Sequence, residues 1–195
     1  MMGVYINDKV FKFAFDMAFR DATLRMAFPR KSGEQNSDFQ KRKEVVRDKD
    51  KPIVKNYIDS IFDNGNNEPP DPTEYIINSC DKENDFTFGN AQKLVNMTAK
   101  YMFIASYANE EMRERFRNCH CPMDSVMLKK IRRKSLKDAG WNSELSWSRL
   151  KCDDIKVPAE YESFQKNVRN IAIEEGILPL EVDFLYWDEG YELIK

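Results

Sequence analysis

The side chains best suited to chemistry lie in one apolar stretch in the middle of the chain. Lys93, Asn96 and Lys100 are spaced so that on a helix they share one face, with Gln92 and Asn96 one turn apart beside them. Lys93 is followed directly by two apolar residues, which places its amine at the border of the core. A lysine removed from water near another cation becomes a better nucleophile. The alternative is that Lys93 and Lys100 lie on the solvated side, because lysine is seldom buried.

A second polar centre begins at a proline turn farther along the chain. Pro122 fixes the entry to the turn, and Asp124 is well placed to start the next helix. At a helix start, free backbone amides and the helix dipole stabilise a carboxylate as an anion. Aspartate is common at this position, so its chemical meaning depends on whether Asp124 faces Lys93.

The helix predicted to follow Asp124 carries a dense basic cluster among apolar packing residues. Its cations are Lys129, Lys130, Arg132, Arg133, Lys134 and Lys137. Such a helix suits a phosphate backbone. The alternative is a solvated face whose acidic partners lie elsewhere in the chain. The formal net charge of −2 does not decide between the two, because nucleic-acid binding needs only a local basic face.

His120 is the only histidine, and it lies between Cys119 and Cys121. Three adjacent residues cannot easily converge on one tetrahedral ion, and no C-x-x-C partner occurs elsewhere in the sequence. We therefore predict neither a metal site nor a cofactor, and consider His120 as a pocket-lining residue. The sequence also lacks the P-loop, the dinucleotide-binding glycine motif, the serine-hydrolase elbow and the H-E-x-x-H zinc motif.

Two motifs in residues 86–131 together resemble a known enzyme superfamily. They are G-x-x-x-K-x-x-N at Gly89, Lys93 and Asn96, and P-x-D-x-x-x-x-K at Pro122, Asp124 and Lys129. This pairing resembles the helix-hairpin-helix DNA glycosylases, which include endonuclease III-like and 8-oxoguanine-excising enzymes. In bifunctional members a glycine-bearing hairpin leads into a helix with the nucleophilic lysine, and a V-D or P-V-D turn supplies the aspartate. By this match Lys93 takes the nucleophile's place and Asp124 that of the catalytic aspartate.

The resemblance implies an enzyme that binds double-stranded DNA, turns a modified or damaged base out of the duplex and excises it. Lys93 would form a Schiff base that proceeds to strand cleavage, while Asp124 stabilises the cationic transition state and helps to deprotonate the lysine. The candidate pocket residues are Gln92, Asn96, Lys100, His120, Trp141 and Trp147, with Phe88 and Trp187 as further stacking candidates. The predicted contacts to the DNA backbone are Gly89 and the six cations of the basic cluster.

The match to this superfamily is local, and the sequence departs from the pattern in three ways. Residues 86–90 read F-T-F-G-N in place of a glycine-rich hairpin. The lysine and the aspartate are farther apart than is usual, so an insertion at residues 109–118 must absorb the extra length. There is no iron–sulfur cysteine set. The alternative function is a non-enzymatic helical module that binds nucleic acid or protein, for example an adaptor or a phage–host interaction protein; it predicts that Lys93 and Asp124 lie far apart or are fully exposed.

The elements that must position these residues are helices. Hydrophobic periodicity predicts an all-α fold, with helices at residues 8–26, 38–50, 53–62, 73–80, 90–108, 124–139 and 161–175. The pattern of residues 180–187 allows a helix or a strand and fits a final packing helix better. Pro52 separates the second helix from the third, and the loop at residues 63–72 is the candidate boundary between two lobes.

Composition fits one helical domain covering residues 1–195. A chain of 195 residues that is 42% apolar is long enough for a single sizeable core. The longest apolar N-terminal stretch, residues 10–27, is interrupted by charged side chains, so we predict no membrane partner. We expect a cytoplasmic location, with the four cysteines reduced.

Overall fold

A computed structural model describes residues 7–24, 26–63, 70–135, 146–153 and 156–186, with the backbone alone for residues 132–135. Within these ranges the chain is helical and forms no strand, which confirms the predicted all-α fold. The helices are α1 Asp8–Ala22, α2 Asn36–Asp63, α3 Thr73–Ser79, α4 Phe88–Ser106, α5 Glu110–Glu114, α6 Ser125–Ser135, α7 Ala159–Glu175 and α8 Val182–Leu185. Short 3₁₀ turns lie at Trp147–Arg149 and Pro179–Glu181.

Helix α4 lies at the centre of the fold. Every residue from Phe88 to Lys100 is buried, because α1, α3 and the Trp147–Arg149 turn all pack against this helix. A polar side chain enclosed in this way is costly unless it finds a hydrogen-bond partner inside the protein. The polar residues of α4 are therefore held in fixed positions by their partners on other elements.

The start of α4 is fixed by a capping box. The Thr87 side chain accepts a hydrogen bond from the backbone amide of Asn90, and the Asn90 side chain accepts one from the backbone amide of Thr87. The Asn90 amide nitrogen also donates to the carbonyls of Ala22, at 2.8 Å, and Ala27, at 3.0 Å. The end of α1 and the chain that follows it are thereby attached to the first turn of α4.

Helix α2 continues through Pro52, which corrects the predicted break between two helices. A proline inside a helix removes one hydrogen bond and clashes with the preceding turn, at a cost of about 3 kcal/mol. Burying one large apolar side chain contributes about 1.5–3 kcal/mol. Several such residues are buried on the two sides of the proline: Val46, Val54, Tyr57, Ile58 and Ile61. Their packing outweighs the local cost of the proline.

Arg42 joins three segments near the start of α2. Its guanidinium pairs with both carboxylate oxygens of Glu34, at 2.8 and 2.9 Å, and donates to the carbonyls of Pro29 and Asn84, each at 2.9 Å. The hydrogen bonds from Arg42 lower the pKa of Glu34 to about 2. The loop between α1 and α2 is thereby attached to the turn that precedes α4.

One hydrophobic cluster unites helices from both halves of the chain. Ile58 and Ile61 of α2 belong to the same cluster as Leu94 of α4 and Val168 of α7. Residues on either side of the 63–72 loop thus share a core, while residues 64–69 of that loop lie outside the described ranges. Among the described helices, none combines the length and apolar character that crossing a membrane requires.

Candidate functional site

The structure brings Lys93 and Asp124 into direct contact. Lys93 Nζ lies 2.6 Å from Asp124 Oδ2, and the two side chains are 9% and 24% exposed. Asp124 also caps α6, because its Oδ1 accepts from the amides of Val126, at 3.0 Å, and Met127, at 2.9 Å. The separation or full exposure that a purely binding module predicts for this pair is not found.

The environment of Asp124 favours its charged form. Burial alone raises the pKa of the carboxyl, but the charge of Lys93 and the hydrogen bonds from Lys93 and the Met127 amide outweigh burial. The positive charge of Lys100 acts in the same direction. The net result is a pKa below its ordinary value of 3.8, so Asp124 is an anion at neutral pH.

Gln92 holds the backbone immediately before Asp124. Its Oε1 accepts from the amide of Met123 at 3.0 Å, and its Nε2 donates to the carbonyl of the same residue at 2.8 Å. Gln92 is fully buried, so water does not compete for these bonds. The side chain predicted to line a substrate pocket is bonded here to the turn that carries the aspartate.

Gln165 of α7 makes the same two-bond pairing two residues earlier. Its Oε1 accepts from the amide of Cys121 at 3.2 Å, and its Nε2 donates to the Cys121 carbonyl at 2.8 Å. We call Gln92 and Gln165 the glutamine clamp. The clamp fixes residues 121–123 from two helices, and the position of Asp124 follows from it.

A chain of polar groups runs from α4 to the surface beside this turn. Asn96 Nδ2 donates to Gln92 Oε1, at 3.2 Å, and to Tyr161 Oη, at 2.8 Å. Tyr161 Oη lies 2.9 Å from His120 Nδ1, and His120 Nε2 lies 2.7 Å from a guanidinium nitrogen of Arg169. Asn96 and His120, both predicted as pocket residues, are buried members of this chain.

The chain determines the protonation of His120. A guanidinium only donates, so Nε2 must accept from Arg169 and the proton lies on Nδ1, from which it is donated to Tyr161. Burial lowers the pKa of His120 below its usual 6.5; Asp71 opposes this and the positive charge of Arg169 reinforces it. The imidazole is therefore neutral at neutral pH, with both nitrogens engaged by protein groups.

Lys100 lies in the core, in an ion pair with Asp183 of α8. Its Nζ also lies 4.9 Å from the ring centroid of Phe184. Lys100 supplies the second cation expected near Lys93, and in this structure its own ammonium is paired to α8. A direct contact of Lys100 with a substrate stays a prediction.

Gly89 has a packing function that the sequence did not indicate. A Cβ at this position would lie 1.9 Å from the carbonyl oxygen of Trp147, and the Gly89 amide donates to the carbonyl of Leu150 at 3.3 Å. The Gly89 N–H is thus used within the chain, and the predicted contact of Gly89 with the DNA backbone stays a prediction. The close approach places the Trp147 ring beside the site, with its centroid 5.8 Å from Lys93 Nζ.

The remaining predicted residues divide into those the structure describes and those it does not. On α6, Lys129 is exposed and Lys130 is half-buried. Phe88 is buried against Tyr161, with ring centroids 5.1 Å apart, so it belongs to the core. Outside the described residues lie Lys137, Trp141 and Trp187, and also the side chains of Arg132, Arg133 and Lys134.

Sequence reasoning missed Gln165, Tyr161 and Arg169 as parts of the site. All three lie on α7, and their partners are 41 to 65 positions away along the chain. Local periodicity predicts which side of α7 is buried and carries no information on such distant pairings. No family model, no curated protein and no solved structure matches this chain.

Proposed function

We propose that this protein is a DNA glycosylase with lyase activity that excises a modified or damaged base. The observation that carries the proposal is the 2.6 Å contact between Lys93 Nζ and Asp124 Oδ2 at the start of the basic helix α6. A largely enclosed amine beside an ionised carboxylate is the arrangement that lysine-dependent attack on a sugar requires. The partly exposed Asp124 leaves one side of the pair open to a substrate.

The proposed reaction begins with transfer of one proton from the Lys93 ammonium to Asp124. The neutral amine attacks C1′ of the sugar: the Nζ–C1′ bond forms, the C1′–base bond breaks, and its electron pair leaves with the base, which takes a proton from water. Loss of the second Nζ proton to O4′ opens the sugar ring and gives the iminium. The proton held by Asp124 passes to the hydroxide that remains when the base takes its proton from water, and the regenerated carboxylate stabilises the positive charge of the iminium.

The proposed partner is double-stranded DNA, bound by its phosphates along α6. Lys129 is exposed one turn beyond the cap at Asp124, where it suits a phosphate contact. A cytoplasmic setting is part of the proposal. It is supported by the four cysteines, all of which are free thiols.

Covalent trapping tests this proposal. The protein is incubated with duplexes that contain an abasic site, 8-oxoguanine or uracil, in the presence of borohydride, which reduces an iminium to a stable amine. We expect a protein–DNA adduct for the wild type and none for Lys93→Gln. The matched control is Lys166→Gln, which removes an exposed lysine from α7 and should trap like the wild type.

The abasic duplex is the least demanding substrate, because no base has to be recognised or removed. Absence of an adduct with this duplex and with both modified bases would overturn the proposed activity. An adduct that persists in Lys93→Gln would overturn the assignment of the nucleophile instead.

A further inference from the structure

A cavity of about 800 Å³ lies between the end of α1 and the first turns of α2. Its walls are mainly apolar and include Met26, Phe28 and Phe39, while Arg30 and Lys43 contribute two cations. No acidic residue lines the cavity in the described part of the chain. Cavities that bind small ligands usually have volumes of about 300–1,000 Å³, so this one is large enough for an organic molecule.

Both cations lie against aromatic rings. Lys43 Nζ is 5.8 Å from the ring centroid of Phe39 and 5.9 Å from that of Phe19, and Arg30 Cζ is 5.4 Å from that of Phe39. Arg30 donates to the neutral side-chain oxygen of Asn36 at 2.7 Å. Within the described residues, neither cation has a carboxylate within ion-pair distance.

Two neighbouring cations, in contrast, have carboxylate partners. Arg42 is paired with Glu34 at 2.8 Å, and Lys31 with Asp85 at 3.1 Å. Burial lowers the pKa of Lys43, because a desolvated ammonium without a counter-ion is disfavoured. An anion in the cavity would supply the missing charge beside the half-buried Lys43, where the attraction is stronger than in bulk water.

We propose that this cavity is a binding site for an aromatic anion, a planar ring system that carries a phosphate or a carboxylate. The ring packs against Phe39 and Met26, above the buried Phe28, and the anionic group lies between Arg30 and Lys43. Charge and shape both support the assignment, because the cations lie beside an apolar wall wide enough for fused rings. The proposal does not depend on the glycosylase activity.

Titration with four probes tests the site: 1-naphthyl phosphate, 1-naphthoate, 1-naphthol and inorganic phosphate, each followed by calorimetry. We expect one naphthyl anion or both to bind at one site per chain, at least tenfold more tightly than 1-naphthol or phosphate. The order of the two anions identifies whether phosphate or carboxylate is preferred. Lys43→Met and Arg30→Met keep the apolar stems and should each weaken binding about tenfold.

The matched control is Lys41→Met, an exposed position on the same helix that should bind like the wild type. Circular dichroism of each variant verifies that the fold is intact. Binding of 1-naphthol or of inorganic phosphate as tight as that of the naphthyl anions would overturn the proposal. So would unchanged affinity in Lys43→Met, or no binding to the wild type at millimolar probe concentration.

Discussion

The contact between Lys93 and Asp124 is both a structural element and a candidate catalytic one. Asp124 is held by three groups: two backbone amides of α6 and the ammonium of Lys93. Removing the hydrogen bonds from these amides would require unwinding α6, whereas the ammonium of Lys93 is removed by one substitution. Substitution at position 93 therefore separates the electrostatic part of the interaction from the helix cap.

We predict a clear energetic coupling between Lys93 and Asp124. Lys93→Met leaves a largely enclosed carboxylate without its cation and should lower the free energy of unfolding by about 2–3 kcal/mol at pH 7. The double variant Lys93→Met/Asp124→Asn should lose less free energy of unfolding than the sum of the losses in the two single variants, because no unpaired charge remains. Urea unfolding of the four proteins measures the coupling, and strict additivity would contradict it.

Asp50 is a second carboxyl in an unusual setting. It lies within α2 with 0% exposure, and neither of its oxygens has a hydrogen-bond partner among the described residues. Burial raises its pKa to about 8, opposed by the charge of Lys49 and reinforced by Asp81 and Cys152. The folded protein therefore keeps a proton that the unfolded chain, with an ordinary pKa of 3.8, releases.

This retained proton predicts a specific pH dependence. Since the folded pKa lies above the unfolded one, the contribution of Asp50 to stability is greatest in acid and falls as the pH rises toward 8. The amide side chain of the Asp50→Asn variant cannot titrate. The free energy of unfolding of this variant, measured relative to that of the wild type, should therefore rise, with a gain of roughly 1 kcal/mol per pH unit between pH 5 and 8. Denaturant unfolding across this range measures the gain, and exposed Asp48→Asn should follow the wild-type profile.

At the scale of elements, the sequence predicts the ends of helices better than their continuity or their contacts with one another. Asp124 before α6 and Gly176 after α7 mark helix ends through local chemistry, which a sequence displays directly. The break predicted at Pro52 is wrong, because the local penalty of the proline is visible in the sequence, while the burial of Tyr57 and its neighbours is a tertiary effect. The pairing of Gln165 with Cys121 is also tertiary, and no local pattern indicates it.

The glutamine clamp gives the turn before α6 a testable chemical signature. In Gln92→Glu, a protonated carboxyl group reproduces both bonds to Met123, since its O–H donates and its C=O accepts. An ionised carboxylate cannot donate. We therefore expect this variant to approach wild-type stability at pH 5 and to lose about 1–3 kcal/mol at pH 8, compared with the wild type at the same pH.

Gln92→Met is the matched control for this experiment. It has a similar volume and neither bond, so its loss of stability should be the same at both pH values. Carbon-13 NMR of the Asp124 carboxyl gives an independent measurement, because a loosened turn should change the pKa of that group. A Gln92→Glu variant with equal stability at pH 5 and 8, relative to the wild type, would contradict the clamp.

At the scale of the whole molecule, composition predicted the all-α class and periodicity predicted most of the buried faces. The burial of the polar residues of α4 could not be predicted from the sequence. The face of α4 with Gln92, Lys93 and Asn96 has a polar sequence, and yet all three are buried. Their burial depends on partners from the turn before α6 and from α7, so only the assembled fold explains why a polar face lies inside.

The shared core predicts that the described helices unfold together. Ile58 of α2, Leu94 of α4 and Val168 of α7 belong to one cluster, so loss of packing in one helix exposes the others. Calorimetry should give a single transition with equal calorimetric and van't Hoff enthalpies, about 140 kcal/mol near 60 °C for a chain of this length.

Two variants test the shared core. Ile58→Ala should lower the free energy of unfolding by about 2–5 kcal/mol and still unfold in one transition. Ile173→Ala, at a position 79% exposed, should leave the free energy of unfolding unchanged. Two separate peaks, in the wild type or in Ile58→Ala, would show instead that the segments on either side of the 63–72 loop are independent lobes.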